Sequence, residues 1–332
     1  MPRTQFAMPV LALAVLIPHA AMAVDATPDA SQVVAAIEGA FGVTPGERRN
    51  HIKGTCAAGE FVGTKEAAKL SRSPLFSGQP VPVIARFSLS GGNPKAPDFA
   101  KSGRGMALQF QLPKGQLHHI AMLNTPMFGA ANPQTFLDLM QALQPDPATG
   151  KPDPEKMKAF KASHPDNLAQ AQYLASNNPP ASYASSSYWG IHTFKFIDRK
   201  GKATLVRWQF VPQDGERRLS DDELKTAGAN FLEASLIERT QQGPVRWDMM
   251  VSIGQPGDSE TDPTVLWPAE RPRIKAGTLT IRSAEAQKGA PCEPINFDPL
   301  VMAAGIQPSD DPVLRFRSPA YAVSFGKRLS ER

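Results

Sequence analysis

Hydrophobic positions change period several times along the chain, and each change marks an element. Between Ser31 and Phe41, Val33, Val34, Ile37 and Phe41 recur at the spacing that places them on one side of a short helix. From about Gly59 the pattern shortens to the alternation of strands, clearest over Val81–Ser88, Gly105–Leu112 and Leu117–Leu123. Helical spacing returns over Phe136–Leu143, Pro154–Ala162 and Leu168–Ala175. Tyr188–Ile197 and Ala203–Val211 alternate like paired strands, and Asp198-Arg199-Lys200-Gly201 between them is a good hairpin turn. Asp221–Gln241 predicts one helix with a polar face, followed by strands at Val245–Gly254 and Gly277–Ile281. Five to seven strands spaced by turns predict an α+β chain: a closed or nearly closed antiparallel β-barrel with added helices.

Composition refines this outline at both ends. Arg3, the apolar run Met8–Ile17 and the small-x-small site Ala21-Met22-Ala23 read as a secretory leader, cut before Val24 and directing the chain to the periplasm. That run is too short for a membrane anchor, and no later segment approaches about 20 apolar residues. One domain is therefore expected over 24–332: a barrel over about 45–254, a Pro-, Asp- and Gly-rich segment wrapping the surface over 255–310, and a last helix over 311–332. The 41% hydrophobic and 20% charged residues are the balance of a globular protein. The 32 prolines are spread along the chain, which predicts many ordered loops instead of one disordered tail. A net charge of +5 is scattered, with no basic run interleaved with aromatics, so no nucleic-acid surface is expected. Cys56 and Cys292 could pair in an oxidising compartment or stay free, and their spacing does not decide.

Candidate chemistry is sparse by spacing alone. The histidines are His19, His51, His118, His119, His164 and His192, and none has zinc-site spacing. Gly103-Arg104-Gly105 lacks the rest of a dinucleotide fingerprint. Cys56 has no local nucleophile signature. His118 and His119 read as surface residues at a strand end, not as a metal pair.

The order of short motifs, however, is similar to that of the haem catalases. Glu47-Arg48-Arg49-Asn50-His51-Ile52-Lys53-Gly54 resembles their distal-histidine segment. Arg86-Phe87-Ser88 and Arg104–Phe110 resemble the strands that follow, and Leu123-Asn124-Thr125-Pro126-Met127-Phe128 the distal-asparagine motif, with Asn132-Pro133 and Phe136 at the expected distances. His192–Lys195, Asp262–Pro268, Phe297-Asp298-Pro299, Arg317-Ser318-Pro319-Ala320-Tyr321 and Arg328-Leu329 continue the series. Each piece is weak alone; their common order is not.

The resemblance implies haem b as cofactor, with Tyr321 as axial ligand to the iron, a phenolate role that catalases use. Arg317 would add a positive charge beside it, supported in turn by His192 and Asp311. His51 would shuttle the peroxide proton, Asn124 would orient the peroxide, and Ser88 would hold His51. Arg48, Arg86 and Arg328 match positions that bind the haem propionates, for which guanidinium forks are suited. The implied activity is reduction of hydrogen peroxide, and of organic hydroperoxides, with a small organic electron donor and with weak catalase activity. A haem carrier or sensor, a haem protein that rearranges hydroperoxides, and a barrel binding an apolar ligand without haem are the alternatives; retention of both His51 and Asn124 argues against the carrier.

Departures from the pattern carry expectations of their own. Asn50 stands where an apolar residue is usual, and Gly129 replaces an aromatic, so a wider or wetter distal side is expected. Pro319 lies between Arg317 and Tyr321, so the last helix is expected either to kink there or to start at Ser318-Pro319. The chain is similar to the short catalase-related peroxidases, lacking the carboxy-terminal helical domain, and a monomer or homodimer is expected.

Overall fold

Among the described residues, ten strands form one antiparallel sheet that closes on itself through a pairing of its last strand with its third. The computed structural model describes residues 27–331, so the leader read over 1–23 lies outside the described residues. The strands are β1 (Gly54–Gly63), β2 (Pro80–Leu89), β3 (Arg104–Gln111), β4 (Leu117–Leu123), β5 (Tyr188–Trp189), β6 (Phe194–Ile197), β7 (Ala203–Pro212), β8 (Val245–Ile253), β9 (Arg273–Ala286) and β10 (Ile306–Pro308). Eight of them close a barrel in the order β7-β5-β4-β3-β2-β1-β9-β8, and β8 returns to β7 from Val206↔Ile253 to Pro212↔Trp247. Closure removes the exposed edges an open sheet would present. β6 and β10 extend the sheet beyond β7.

Alternation fills the barrel instead of opening it. Along β7 Val206, Trp208 and Phe210 are buried, and along β8 Val245, Trp247, Met249 and Val251. Phe61 meets Phe110 edge to face at 5.5 Å, and Trp247 lies 5.7 Å from Phe87. An interior packed with aromatics holds no large ligand, so a binding site must lie outside the wall.

The helices are α1 (Ala30–Phe41), α2 (Lys65–Leu70), α3 (Pro133–Ala142), α4 (Pro154–Ser163), α5 (Leu168–Ser176), α6 (Asp221–Thr226), α7 (Leu232–Gln241) and α8 (Pro312–Ser330). Three of them pack together through Val33, Ile37, Leu137, Met140 and Phe316, from the two ends of the described chain and its middle. A capping box between Asp29 and Gln32 starts α1, and Asp311 with Pro312 behind it starts α8.

Several expectations need correction. Eight strands close the barrel, not five to seven, and β1 begins at Gly54. The segment 255–310 does more than wrap: β9 is a fourteen-residue stave between β1 and β8. The strand read over Tyr188–Ile197 is interrupted at Gly190–Thr193, where Ile191 takes φ 52°. Gly190 packs against the indole of Trp208, where a Cβ would come within 2.4 Å of Nε1. The helix read over Asp221–Gln241 is two helices, and the buried Asp98 carboxylate accepts the Leu232 N–H that opens the second, at 2.8 Å. α8 does not start at Ser318-Pro319 but runs from Pro312 to Ser330 with Pro319 inside it. His118 and His119 are buried, not exposed: one stacks on Phe110 and the other bonds Gln109 at 3.0 Å. As neighbours on β4 they face opposite sides of the sheet, which removes them as a metal pair.

Candidate active site

One cavity lies between the outer faces of β2, β3 and β4 and the helices α1, α3 and α8. His51 enters it from the loop before β1 with a left-handed backbone, φ 55°, which costs a non-glycine residue about 1–2 kcal/mol. Asn50 compensates, its Oδ1 accepting both the His51 and the Gly91 N–H at 2.8 Å. The side chain that departs from the catalase pattern therefore has its oxygen committed to the turn that aims His51. Ser88 Oγ lies 2.9 Å from His51 Nδ1. Gly105 permits that approach, because a Cβ there would come within 2.8 Å of Ser88 Oγ and 3.1 Å of His51 Nδ1. Ser90, which sequence reasoning missed, puts its hydroxyl 3.5 Å from Nε2. Burial, then the charges of Arg86, Arg317 and Arg48, push His51 down to about 3, so the ring is neutral and keeps a free lone pair.

On the helix side, four residues form a continuous chain. Asp311 Oδ2 lies 2.7 Å from His192 Nδ1, His192 Nε2 lies 3.2 Å from Arg317 Nη1, and Arg317 Nη2 donates to Tyr321 Oη at 3.0 Å. A guanidinium can only donate, so His192 Nε2 must accept and the proton sits on Nδ1, facing the carboxylate. Burial lowers the His192 pKa, in keeping with that neutral form. Asp311 acts twice, since its Oδ1 also caps α8 by accepting the Val313 and Leu314 N–H groups. Pro319 leaves the spacing intact: α8 runs through it, and Arg317 and Tyr321 stay one turn apart with the guanidinium 5.5 Å from the phenol ring.

The third group is basic. Arg48, Arg86 and Arg328 all line the cavity. Arg48 Nη2 donates to the carbonyls of Cys292, Glu293 and Ile295, while its Nη1 is buried without a hydrogen-bond partner among the described residues. Arg86 donates through Nε to Gln287 and through Nη2 to the His51 and Ile52 carbonyls. Arg328 Nη2 donates to Pro294 O at 3.0 Å. Burial, then Arg86 and Arg328, push Arg48 down to about 8, and burial pushes Arg86 down to about 10. No carboxylate forms a salt bridge with Arg48 or Arg86 among the described residues. Buried cations held in this way are stabilised by an anionic ligand.

Two sequence-based expectations fare differently. Asn124 is buried beside the cavity; its Oδ1 accepts the Arg104 N–H at 2.7 Å, and its Nδ2 makes no hydrogen bond among the described residues. Gly129 does not widen the site, because it faces Gln170 and Asn167, where a Cβ would come within 2.5 Å of the glutamine oxygen. The aromatic wall is instead Phe128 stacked on Phe136 at 5.8 Å, both lining the cavity. Arg49 was also missed: it is buried and pairs with Glu38 and Glu331, joining the distal loop to α1 and the end of α8. Its place next to Arg48 was the only signal. Cys56 and Cys292 form a disulfide, with Cα atoms 5.5 Å apart, behind the arginines.

The family model for catalases matches residues 44–332. The chain belongs to the catalase family. It is 62% identical over 302 residues to a catalase-related peroxidase of Synechococcus elongatus, covering 91% of this chain and 88% of that one. It is 38% identical to a catalase-related peroxidase of Mycolicibacterium paratuberculosis, over 90% and 93% of the two chains. Among solved structures, a bacterial catalase superposes with a TM-score of 0.78 at 26% identity, and catalase A of Saccharomyces cerevisiae with 0.79 at 24%. These matches cover 86% of this chain but only 58% and 62% of those two, so the chain spans about three fifths of their length. Haem is the cofactor of this enzyme family, and the cavity of this catalase-family chain fits it: a phenol backed by a guanidinium on one side, a neutral imidazole, and an arginine cluster with an orphaned buried N–H for carboxylates.

Proposed function

We propose that this chain is a haem b-dependent peroxidase that reduces hydrogen peroxide and organic hydroperoxides at the expense of small organic donors. The observation that carries the reading is the unbroken line from Asp311 through His192 and Arg317 to the Tyr321 oxygen, in the cavity that His51 and Ser88 also reach. Haem supplies the iron centre at which the O–O bond is reduced. Tyr321 would bind the iron through its oxygen, and Arg317 would hold negative charge on that oxygen by donating to it. Asp311 keeps the His192 proton on Nδ1, so that His192 accepts from Arg317 and fixes the fork. His51, neutral and held by Ser88, would take the proton from one peroxide oxygen and return it to the other, which then leaves as water or an alcohol. Arg48, Arg86 and Arg328 would bind the two propionates.

Similarity to two proteins named catalase-related peroxidases supports donor oxidation as the main reaction, and weak oxygen release is part of the proposal. The wider distal side expected from Asn50 and Gly129 does not support it, because neither residue opens the cavity. Export to the periplasm is part of the proposal, supported by the leader motif and by the disulfide, which persists in oxidising compartments. The test begins with purified protein, in which the cofactor should be present at one per chain. Tyr321→Phe should lose most of it and change the absorption bands of what remains. A fully loaded Tyr321→Phe protein with an unchanged spectrum rejects the ligand assignment. Oxygen release and donor oxidation measured on one preparation decide the reaction, and vigorous oxygen release without donor oxidation rejects the peroxidase reading.

A further inference from the structure

We infer that the Cys56–Cys292 disulfide positions the anion-binding end of the cavity, by fixing the segment 287–295 to which Arg48, Arg86 and Arg328 each donate a hydrogen bond. The inference rests on the haem reading above. Arg48 comes from the loop before β1, Arg86 from β2 and Arg328 from α8, yet each reaches the same short segment. Arg86 Nε donates to the Gln287 side chain at 2.7 Å, and Arg328 Nη2 to Pro294 O at 3.0 Å. Arg48 Nη2 takes three of its carbonyls, those of Cys292, Glu293 and Ile295, at 3.3, 2.9 and 2.7 Å.

Such a convergence needs a rigid acceptor, because like charges push the guanidiniums apart. The segment supplies acceptors because it is neither helix nor strand, so its carbonyls are free of any ladder. Its own backbone hydrogen bonds are local turns, from the Ala290, Glu293 and Ile295 N–H groups to the carbonyls of Gln287, Ala290 and Cys292, and none of these ties it to the barrel. What ties it covalently to the barrel is the bond from Cys292 to Cys56 on β1, both residues buried, with Ala290 and Phe297 packed around them. Phe297 itself lines the cavity. The bond joins residues 236 apart, so without it the segment gains much freedom. Tyr321 and its Asp311–His192–Arg317 support make no hydrogen bond with this segment among the described residues, and they should be indifferent to its loss.

The test compares the wild-type protein with Cys56→Ala/Cys292→Ala, each loaded with haem or with haem dimethyl ester, which lacks the carboxylates. Cofactor loss is followed by transfer to excess apomyoglobin. The double variant should release haem at least about tenfold faster, the effect of loosening charge-assisted contacts. Its absorption bands should remain those of the wild type, and release of the ester should be equally fast from both proteins. Equal haem release from both proteins overturns the inference alone, and so does an equal acceleration for haem and ester, which marks general loosening. A wild-type protein that binds no haem overturns the cofactor reading and this inference with it. If the double variant does not fold, the folded wild type is treated with a water-soluble phosphine. The disulfide then gains two electrons and two protons as the phosphine takes oxygen from water, and the same acceleration is expected once two thiols per chain are titrated.

Discussion

One hydroxyl sets the orientation of the distal imidazole, and one hydrogen atom makes room for it. Ser88→Ala leaves His51 Nδ1 without its 2.9 Å partner and should slow peroxide reduction about tenfold, with cofactor content unchanged. Gly105→Ala should match it, because the added methyl enters the space that Ser88 and His51 share. His51→Ala should cost more, about 10²–10⁴-fold, the usual worth of general acid–base help. Stopped-flow peroxide consumption ranks the three; a Gly105→Ala protein at wild-type speed would show that this contact is not needed. Asp311→Asn separates the two duties of that residue. The amide oxygen can still cap α8, but its NH₂ donates to His192 Nδ1 and drives the proton to Nε2, against the Arg317 N–H. Thermal stability should stay near wild type while the absorption bands that depend on Tyr321 shift. A large fall in stability with unchanged bands would mean that the cap alone matters.

At the scale of the element, α8 carries a proline where a helix does not want one. Pro319 removes the N–H that would bond the carbonyl of Arg315, and it is exposed, so nothing packs the ring in compensation. Pro319→Ala should stabilise the protein by about 1–3 kcal/mol, raising the midpoint of thermal unfolding without changing the Arg317–Tyr321 contact. Unchanged or lower stability would mean that the proline suits the curvature of α8. Elements like β7, β8 and α1 were legible because one face is buried and the other is less so, which is what periodicity reports. β9 was seen only at its Gly277–Ile281 centre, since its ends carry exposed charged residues such as Arg273 and Glu285. The break between β5 and β6 was not legible. It depends on Ile191 in a left-handed backbone and on Gly190 meeting Trp208, and local pattern encodes neither. Nor was the split between α6 and α7, which a buried aspartate 134 residues away in sequence helps to place.

For the whole molecule, buried imidazoles link the fold to pH. His51 and His118 are both pushed down to about 3, chiefly by burial, from an ordinary value of 6.5. Over that interval the unfolded chain binds protons that the folded chain refuses, so stability is full above 6.5 and falls as the pH drops toward 3. Each histidine contributes a slope of at most about 1.4 kcal/mol per pH unit. His118→Phe should flatten denaturant-unfolding stability between pH 6 and 4.5 while leaving peroxide reduction intact, since His118 stacks in the core away from the cavity. An unchanged slope would place the acid sensitivity elsewhere. Motif order singled out residues that the fold brings to one cavity: His51, Ser88, His192, Arg317 and Tyr321 line it, and Asp311 bonds His192 from behind. The parts played by Asn50, Gly129, Gln287 and Ser90 were not legible, because what each does depends on which distant side chain or backbone group lies beside it.

The packing of α1 against α8 also sets an order of events. The cavity has its first wall near residue 33 and its last near residue 328, and the Arg49 pairs with Glu38 and Glu331 close it across more than 280 residues of chain. Contacts of such long range form late, after the loops between them have lost their freedom. The staves β1 to β9 all precede Pro312 in the chain and pair without α8, which carries Arg317 and Tyr321. We therefore expect barrel closure to precede the docking of α8, so that the cavity takes its last wall only once the rest of the fold is in place.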